Sequence, residues 1–238
     1  MTFPQRAKFN FDSALRYKIV VDLIEKSKYA GLPVLEVGSG GSGISDYFKG
    51  SVIGIDTDFS KTGTKKNPNI RHIKGSVFKL PLKDESFYNV VCLDMLEHIN
   101  VQKRGKAISE LVRVTKKGGI ITLSFPSGDK SAEFEKRIND LFFKKYKKEH
   151  PWLGEHKKNG LPEKDDILLK LEELGITKKS IKVFGNANLL AWFLIHWLFT
   201  INHEKLISKS LKRLYRILFF LFSLPLPPFY RVILVIKK

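Results

Sequence analysis

The chain has 238 residues, with 42 Lys or Arg against 24 Asp or Glu, a formal net charge of +18 and 43% hydrophobic residues. A chain this apolar is not a disordered tail, and its length suffices for a domain with a sizeable core. Its single cysteine, Cys92, excludes a disulfide framework and any multi-cysteine zinc site. The excess of positive charge is spread along both halves and indicates an anionic partner, such as nucleic acid, an acidic membrane surface or an anionic metabolite.

Strand and helix patterns alternate through the first half of the chain. A helical pattern over residues 13–28 is followed by five short apolar runs and one further helical pattern, over 103–114, before the last run. The runs predict strands at 34–37, 51–56, 70–74, 88–93 and 119–124. The fourth and fifth are almost continuously apolar, which is typical of parallel strands covered on both faces.

The second half is less regular. Helices are predicted over 131–148 and 164–174, and further strands over 180–184 and 230–236, with an unusually apolar block at 188–229 between these two strands. Together the two halves predict an α/β fold, a doubly wound, mostly parallel sheet of seven strands with a helical insertion before the last one.

A glycine-rich turn follows the first predicted strand. Residues 38–43 read Gly-Ser-Gly-Gly-Ser-Gly, a G-x-G-x-x-G pattern whose backbone can approach a ligand closely. Glu36 lies just before it, and Asp56 ends the second strand, where a carboxylate can accept hydrogen bonds from both ribose hydroxyls. A nicotinamide dinucleotide site is the rival interpretation, but a pyrophosphate would repel the Glu36 carboxylate.

Five segments in the same order resemble the class I S-adenosylmethionine-dependent methyltransferases, in their small-molecule (type 11) branch. These segments are 34–40, 53–56, 79–87, 93–99 and 113–119. The chain departs from the family at Ser76, where an acidic residue is usual. A serine at this position can still hydrogen-bond the adenine amino group.

The resemblance implies that S-adenosyl-L-methionine is the cofactor and that the whole chain, 1–238, is one methyltransferase domain. Residues 13–128 would be the cofactor-binding core and 129–179 the substrate-side helices. The cofactor residues that it implies are Glu36, Gly38, Ser39, Gly40, Gly43, Asp56, Thr57, Ser76, Val77, Asp94 and Met95. Glu36 would hold the cofactor ammonium, directly or through water.

The resemblance also places candidates on the substrate side of the cleft. Glu97, His98 and His156 are the catalytic candidates, and Asp94 and Glu155 would face the substrate. The structural alternatives are that Glu97 and His98 begin a helix and that Glu155 and His156 form a turn that caps the helix over 164–174. Because no group of His, Cys and carboxylates has metal-ligand spacing in the sequence, no metal is predicted.

The block at 188–229 predicts contact with a membrane surface. Residues 188–201 form an apolar helical pattern of about 21 Å at 1.5 Å per residue, short of the ~30 Å hydrocarbon core, so a transmembrane span is not expected. In 204–221 basic residues alternate with leucines at helical spacing, which sorts them onto opposite faces as in an interfacial helix. The residues assigned to this surface are Trp192, Trp197, Lys205, Lys209, Lys212, Arg213 and Arg216.

The sequence thus predicts a methyltransferase that acts on a lipophilic or lipid-linked acceptor at an anionic membrane surface. No secretory signal peptide is recognised, and the expected location is cytoplasmic and peripheral. The alternatives are a soluble or RNA acceptor, with the apolar block as lid or oligomer interface, and a non-catalytic binding module. Nucleic acid is not favoured, because no exposed stacking aromatics or known module accompany the basic residues.

Overall fold

The computed structural model describes residues 11–59, 67–201 and 226–238 of the chain. In these ranges the helices are α1 (Phe11–Glu25), α2 (Val101–Val114), α3 (Asp129–Tyr146), α4 (Pro151–Asn159), α5 (Lys164–Glu173) and α6 (Leu189–Ile201). The strands are β1 (Val34–Val37), β2 (Val52–Asp56), β3 (Ile70–Lys74), β4 (Phe87–Leu93), β5 (Thr115–Pro126), β6 (Ile181–Asn188) and β7 (Phe229–Lys237). Short 3₁₀ helices lie at Gly43–Asp46, Leu96–His98 and Lys178–Ser180.

The strands form one seven-stranded sheet in the order β3-β2-β1-β4-β5-β7-β6. Neighbours from β3 to β5 are parallel, whereas β7 is antiparallel to both β5 and β6. Because the strand order reverses between β1 and β4, a crevice opens beyond the carboxyl ends of these strands. The predicted doubly wound, mostly parallel sheet is confirmed, and α6 is a helical insertion before the last strand.

Helices cover the sheet on both faces, as the apolar strands require. Val90 of β4 points into a core that includes Leu111 of α2 and Leu171 of α5. Its neighbour Val91 points to the opposite face, where it packs with Val20 of α1. Because successive side chains of a strand lie on opposite sides of the sheet, one strand contributes apolar side chains to two separate cores.

One local difference from the sequence prediction affects the site. The segment around Glu155 and His156 is helical and not a turn, because α4 begins at Pro151 with His150 as its N-cap. The His150 Nδ1 accepts hydrogen bonds from the backbone N–H groups of Trp152 and Leu153. A His cap and an interior glycine, Gly154, are both weak helix signals, so the sequence pattern did not predict α4.

Candidate active site

A cavity of about 1200 Å³ lies at the carboxyl ends of β1, β2 and β4. Its walls also include parts of α1, α4, α6 and β7. The structure brings most of the predicted site residues to this cavity: Gly38, Ser39, Gly40, Gly43, Asp56, Thr57, Ser76, Val77, Asp94, Met95, Glu97, His98, Glu155 and His156. The cavity occupies the crevice expected from the reversal of strand order.

The glycine turn has the backbone conformation that its sequence predicts. Gly38, Gly40 and Gly43 have φ values of +80°, +53° and +50°, which L side chains adopt only at a cost. The N–H of Gly40 donates to Oδ2 of Asp56 at 2.9 Å, so the turn is tied to the end of β2. The glycine turn is followed by one turn of 3₁₀ helix, Gly43–Asp46, and not by an α-helix.

Glu36 lies beneath this turn and is only 1% exposed. Its Oε1 accepts a hydrogen bond from the Tyr17 hydroxyl at 2.9 Å, and its Oε2 accepts one from the Ile44 N–H at 2.7 Å. Burial raises the pKa of Glu36 to about 7, although both hydrogen bonds oppose that shift. Because Glu36 is not part of the cavity wall, its observed contacts hold the turn in place, and the predicted direct contact with a cofactor ammonium does not follow from this geometry.

The opposite end of the predicted cofactor site is formed by Asp56 and the turn at 75–78. Asp56 ends β2, and its Oδ1 accepts from the Asp58 N–H at 3.2 Å. Ser76 lies in the wall with its Oγ accepting from the Phe78 N–H at 3.3 Å. A carboxylate and a small hydroxyl therefore lie where the resemblance expects ribose and adenine contacts.

Asp94, predicted to contact both cofactor and substrate, is engaged by protein groups. Arg231 of β7 donates through Nε at 2.8 Å, Arg16 of α1 donates at 2.8 Å and the Ser124 hydroxyl at 2.6 Å. Burial alone would raise the pKa of Asp94, but Arg231 and Arg16 hold this pKa well below its usual range. Asp94 is thus an ionised structural centre of the cavity wall. No local sequence pattern indicates Arg16 and Arg231 as partners of Asp94, because they lie 78 and 137 positions from it.

Glu97, His98 and His156 come together in the cavity wall, where the 3₁₀ helix Leu96–His98 meets α4. The two imidazole rings lie with their centroids 4.7 Å apart and their Nε2 atoms 3.4 Å apart. The Nδ1 of His98 contacts Glu155 at 2.9 Å, and the Nδ1 of His156 contacts Glu135 at 3.0 Å. Burial raises the pKa of Glu97 well above its usual range, and the negative charge of Asp94 adds to that shift. Burial also lowers the pKa of His98, as does the neighbouring His156.

Aromatic side chains of α6 and β7 form another part of the cavity wall. Trp192 of α6 stacks on Tyr230 at 3.9 Å between ring centroids and on His196 at 4.1 Å. Trp192 is 3% exposed, so its predicted place on a membrane surface is wrong. The sequence of α6 is apolar on nearly all sides, and such a pattern does not identify the buried face.

The outer face of α6 remains apolar. Leu190, Leu194 and Trp197 are spaced by four and three residues and are 58%, 48% and 36% exposed. The five basic residues predicted to face a membrane lie outside the described residues: Lys205, Lys209, Lys212, Arg213 and Arg216. Among the described helices, none is long and apolar enough to cross a membrane.

Residues 35–123 match the family model described as "Methyltransferase domain". This match begins in β1 and extends to β5, and so includes the glycine turn, Asp56 and the Glu97–His98 pair. Over this part of its length, residues 35–123, the chain is similar to methyltransferase domains. The resemblance to class I methyltransferases of the small-molecule (type 11) branch is confirmed.

Two curated relatives of this chain share a name. Both are called demethylmenaquinone methyltransferase, one from Renibacterium salmoninarum and one from Paenarthrobacter aurescens, and each is 33% identical over 112 residues. The matches cover 45% of this chain and 46% and 43% of the two relatives. The chain therefore spans less than half the length of these curated relatives.

Solved structures of methyltransferases share the fold. An S-adenosylmethionine-dependent methyltransferase from Archaeoglobus fulgidus is 13% identical, with a TM-score of 0.54 over 93% of this chain and 94% of its own. A phosphoethanolamine N-methyltransferase from Haemonchus contortus, in complex with phosphomonomethylethanolamine and S-adenosylhomocysteine, is 16% identical, with a TM-score of 0.61 over 93% of this chain and 52% of its own. At such identities the likeness concerns the fold alone.

Proposed function

We propose that this protein is an S-adenosylmethionine-dependent methyltransferase whose acceptor is a small lipophilic molecule. The observation that carries the proposal is the single cavity that joins the glycine turn and Asp56 to the wall formed by Trp192 and Tyr230. Its volume of about 1200 Å³ exceeds the ~300–1,000 Å³ usual for one small ligand. A cofactor and an acceptor can therefore occupy it side by side.

The residues at the β1–β2 end fit this cofactor. A Cβ at Gly38 would lie 2.8 Å from Cγ of Met95, and one at Gly43 would lie 2.0 Å from Oε2 of Glu36, so only glycine backbone fits this cradle. Asp56 would accept hydrogen bonds from the ribose hydroxyls, and Ser76 would hydrogen-bond the adenine amino group. When bound, the cofactor supplies a sulfonium methyl group for in-line displacement by an acceptor atom.

The remaining wall would hold the acceptor against that methyl group. In a displacement of this kind, positioning of the two reacting atoms can lower the barrier by several kcal/mol, on the order of 7–11 in well-oriented cases. Trp192 and Tyr230 offer flat apolar surfaces, and Glu97, His98 and His156 supply polar groups in the wall of the same cavity. An acceptor with an apolar ring or chain and one polar reacting atom suits this combination of apolar surfaces and polar groups.

Two further observations favour a lipophilic acceptor that is reached at a membrane surface. The relatives named demethylmenaquinone methyltransferase have, by that name, a quinone-type acceptor. The stripe of Leu190, Leu194 and Trp197 is exposed on α6, whose other side supplies Trp192 to the cavity. Basic residues in 204–221 follow directly in the sequence and would favour anionic lipid.

The acceptor class is tested with methyl-labelled cofactor and a total cell extract, after calorimetry has established cofactor binding. We expect the label to partition with the lipid fraction. The absence of cofactor binding at millimolar concentration would contradict the enzyme proposal itself. Label in RNA or in water-soluble material would overturn only the lipophilic acceptor.

Membrane attachment is tested separately, by co-sedimentation with vesicles of phosphatidylcholine alone or with phosphatidylglycerol added. We expect binding to the anionic vesicles that falls when Leu190 and Leu194 are both changed to Ser. Leu169→Ser is the matched control, because Leu169 is also 58% exposed but lies on α5. Equal sedimentation of the unchanged protein and both variants would contradict the attachment. So would sedimentation that depends neither on anionic lipid nor on substitutions at Lys209, Lys212 and Arg213.

A further inference from the structure

Glu97, His98 and His156 form a compact group of metal-ligand side chains in the cavity wall. Glu97 and His98 belong to the 3₁₀ helix that follows β4, and His156 belongs to α4, which packs against that turn. One ligand atom from each of the three side chains lies within 4.8 Å of the other two. We propose that these three residues bind a divalent transition-metal ion.

The two imidazole rings already have the orientation that such an ion requires. The Nδ1 of each ring faces a carboxylate, that of Glu155 for His98 and that of Glu135 for His156. A proton on each Nδ1, donated to its carboxylate, would leave each Nε2 with a lone pair for a metal ion. The two Nε2 atoms face each other at 3.4 Å. Tetrahedral bonds of ~2.0–2.1 Å to one zinc ion would place two nitrogen ligands about 3.3–3.4 Å apart.

Glu97 supplies the third donor and an independent observation. Its side chain is 1% exposed, and its Oε2 is buried without a hydrogen-bond partner among the residues that the structure describes. An unpartnered buried carboxylate oxygen is costly, and coordination to a cation would remove that cost. A proton shared between the two imidazoles would explain their approach, but it would leave this oxygen of Glu97 without a partner.

The surrounding residues form the outer shell that metal-binding histidines usually have. Glu135 is 4% exposed and also accepts a hydrogen bond from the Tyr230 hydroxyl at 2.6 Å, which fixes the carboxylate behind His156. Glu155 performs the same role for His98 from a more exposed position. Carboxylates at Nδ1 orient an imidazole and make its Nε2 a better ligand.

Two imidazoles and one carboxylate select the kind of ion. This donor set suits zinc, iron(II) or cobalt(II), whereas magnesium and calcium prefer ligand sets made of oxygen. Because all three side chains line the cavity, the free coordination positions would face a bound molecule. The sequence prediction of no metal rested on spacing, and 58 positions separate the two histidines that the fold brings together. The proposed ion does not depend on the methyltransferase proposal.

The test uses the full chain, freed of metal with a chelator and of any affinity tag, and titrated with Zn²⁺ alone. We expect one zinc per chain by elemental analysis after gel filtration, and a visible absorption band when Co²⁺ replaces it. His98→Asn and Glu97→Gln should each weaken zinc binding more than about 100-fold, since outer-shell changes such as Glu155→Gln typically cost about 10–100-fold.

His72→Gln is the matched control, because His72 lines no part of the cluster and contacts the carbonyl of Gly41 instead. It should bind zinc as the unchanged protein does. His98 is the most exposed of the three ligands, so its variant is expected to fold, and circular dichroism checks this. Zinc binding that is absent in the unchanged protein, or equal in the His98, Glu97 and His72 variants, would overturn the proposal. Neither result would bear on cofactor binding, which is measured without metal.

Discussion

Arg231 of β7 donates through Nε to both carboxylate oxygens of Asp94, at 2.8 Å each, although the two residues are 137 positions apart. The same guanidinium also contacts Asp12 of α1 and Asn186 of β6. Arg231 thereby joins the end of β4, which shapes the cavity, to the first helix and to the antiparallel edge of the sheet. Its side chain is 1% exposed, so its charge depends on these partners.

Removal of this guanidinium should therefore destabilise the fold. We expect Arg231→Met to lower the free energy of unfolding by about 3–5 kcal/mol, because Asp94 would keep a buried charge with one partner fewer. Urea denaturation measures the change. Arg137→Met is the matched control, since Arg137 pairs with Glu133 at the surface and should cost no more than about 1 kcal/mol. Equal losses in the two variants would refute a buried role for Arg231.

How far the sequence predicted this architecture depends on the distance between the residues involved. The glycine turn, Asp56 at the end of β2 and the alternation of strands and helices in the first half follow from patterns within short segments, and the structure has them as predicted. The pairing of Asp94 with Arg231 requires β7 to lie beside β5, which no local pattern states. Long-range partners of this kind emerge only when the sheet is assembled.

The glycine turn provides a second prediction, on stability. Gly43→Ala should lower the free energy of unfolding by about 2–5 kcal/mol, since a positive φ costs an L-residue about 1–2 kcal/mol and a clash adds about 1–3. The clash is with Glu36, whose Oε2 would lie 2.0 Å from the new Cβ. Gly31→Ala is the control, because a Cβ there meets no atom within 4 Å, and we expect a change within about 0.5 kcal/mol. Thermal and urea unfolding would contradict this prediction if both variants behaved alike.

Asp56 provides a third prediction, on cofactor affinity. Asp56→Ala should weaken binding of S-adenosylmethionine about 10- to 100-fold, the loss expected when hydrogen bonds worth about 1.5–3 kcal/mol to a charged group disappear. Isothermal titration calorimetry gives the dissociation constant. Asp140→Ala removes an exposed carboxylate of α3 and should leave the affinity unchanged. An unchanged affinity in Asp56→Ala would exclude the ribose contact.

The candidate site was predicted only in part, for two physical reasons. Short motifs indicated Glu97, His98 and His156 individually. Their proximity depends on α4, which was not predicted because its helix signals are weak. Trp192 was assigned to a surface because the pattern of a helix that is apolar on all sides does not show which side is buried. In the structure, Trp192 stacks on Tyr230 and is therefore on the buried side. No sequence pattern singled out Glu135, whose burial is explained by its contacts with Tyr230 and His156.

The N-cap of α4 makes the stability of this region depend on pH. Burial lowers the pKa of His150 to about 4, and the nearby His196 and His156 add to the shift. Between that value and the ordinary pKa of about 6.5, the unfolded chain binds more protons than the folded one, so the free energy of unfolding falls as the pH is lowered through this window. Because His150 is partly exposed, we expect its contribution to be no more than about 2 kcal/mol. His150→Asn keeps a capping oxygen that does not titrate, and should reduce the loss of stability between pH 7 and pH 5 when both proteins are unfolded in urea. The same pH dependence in both proteins would show that other groups cause it.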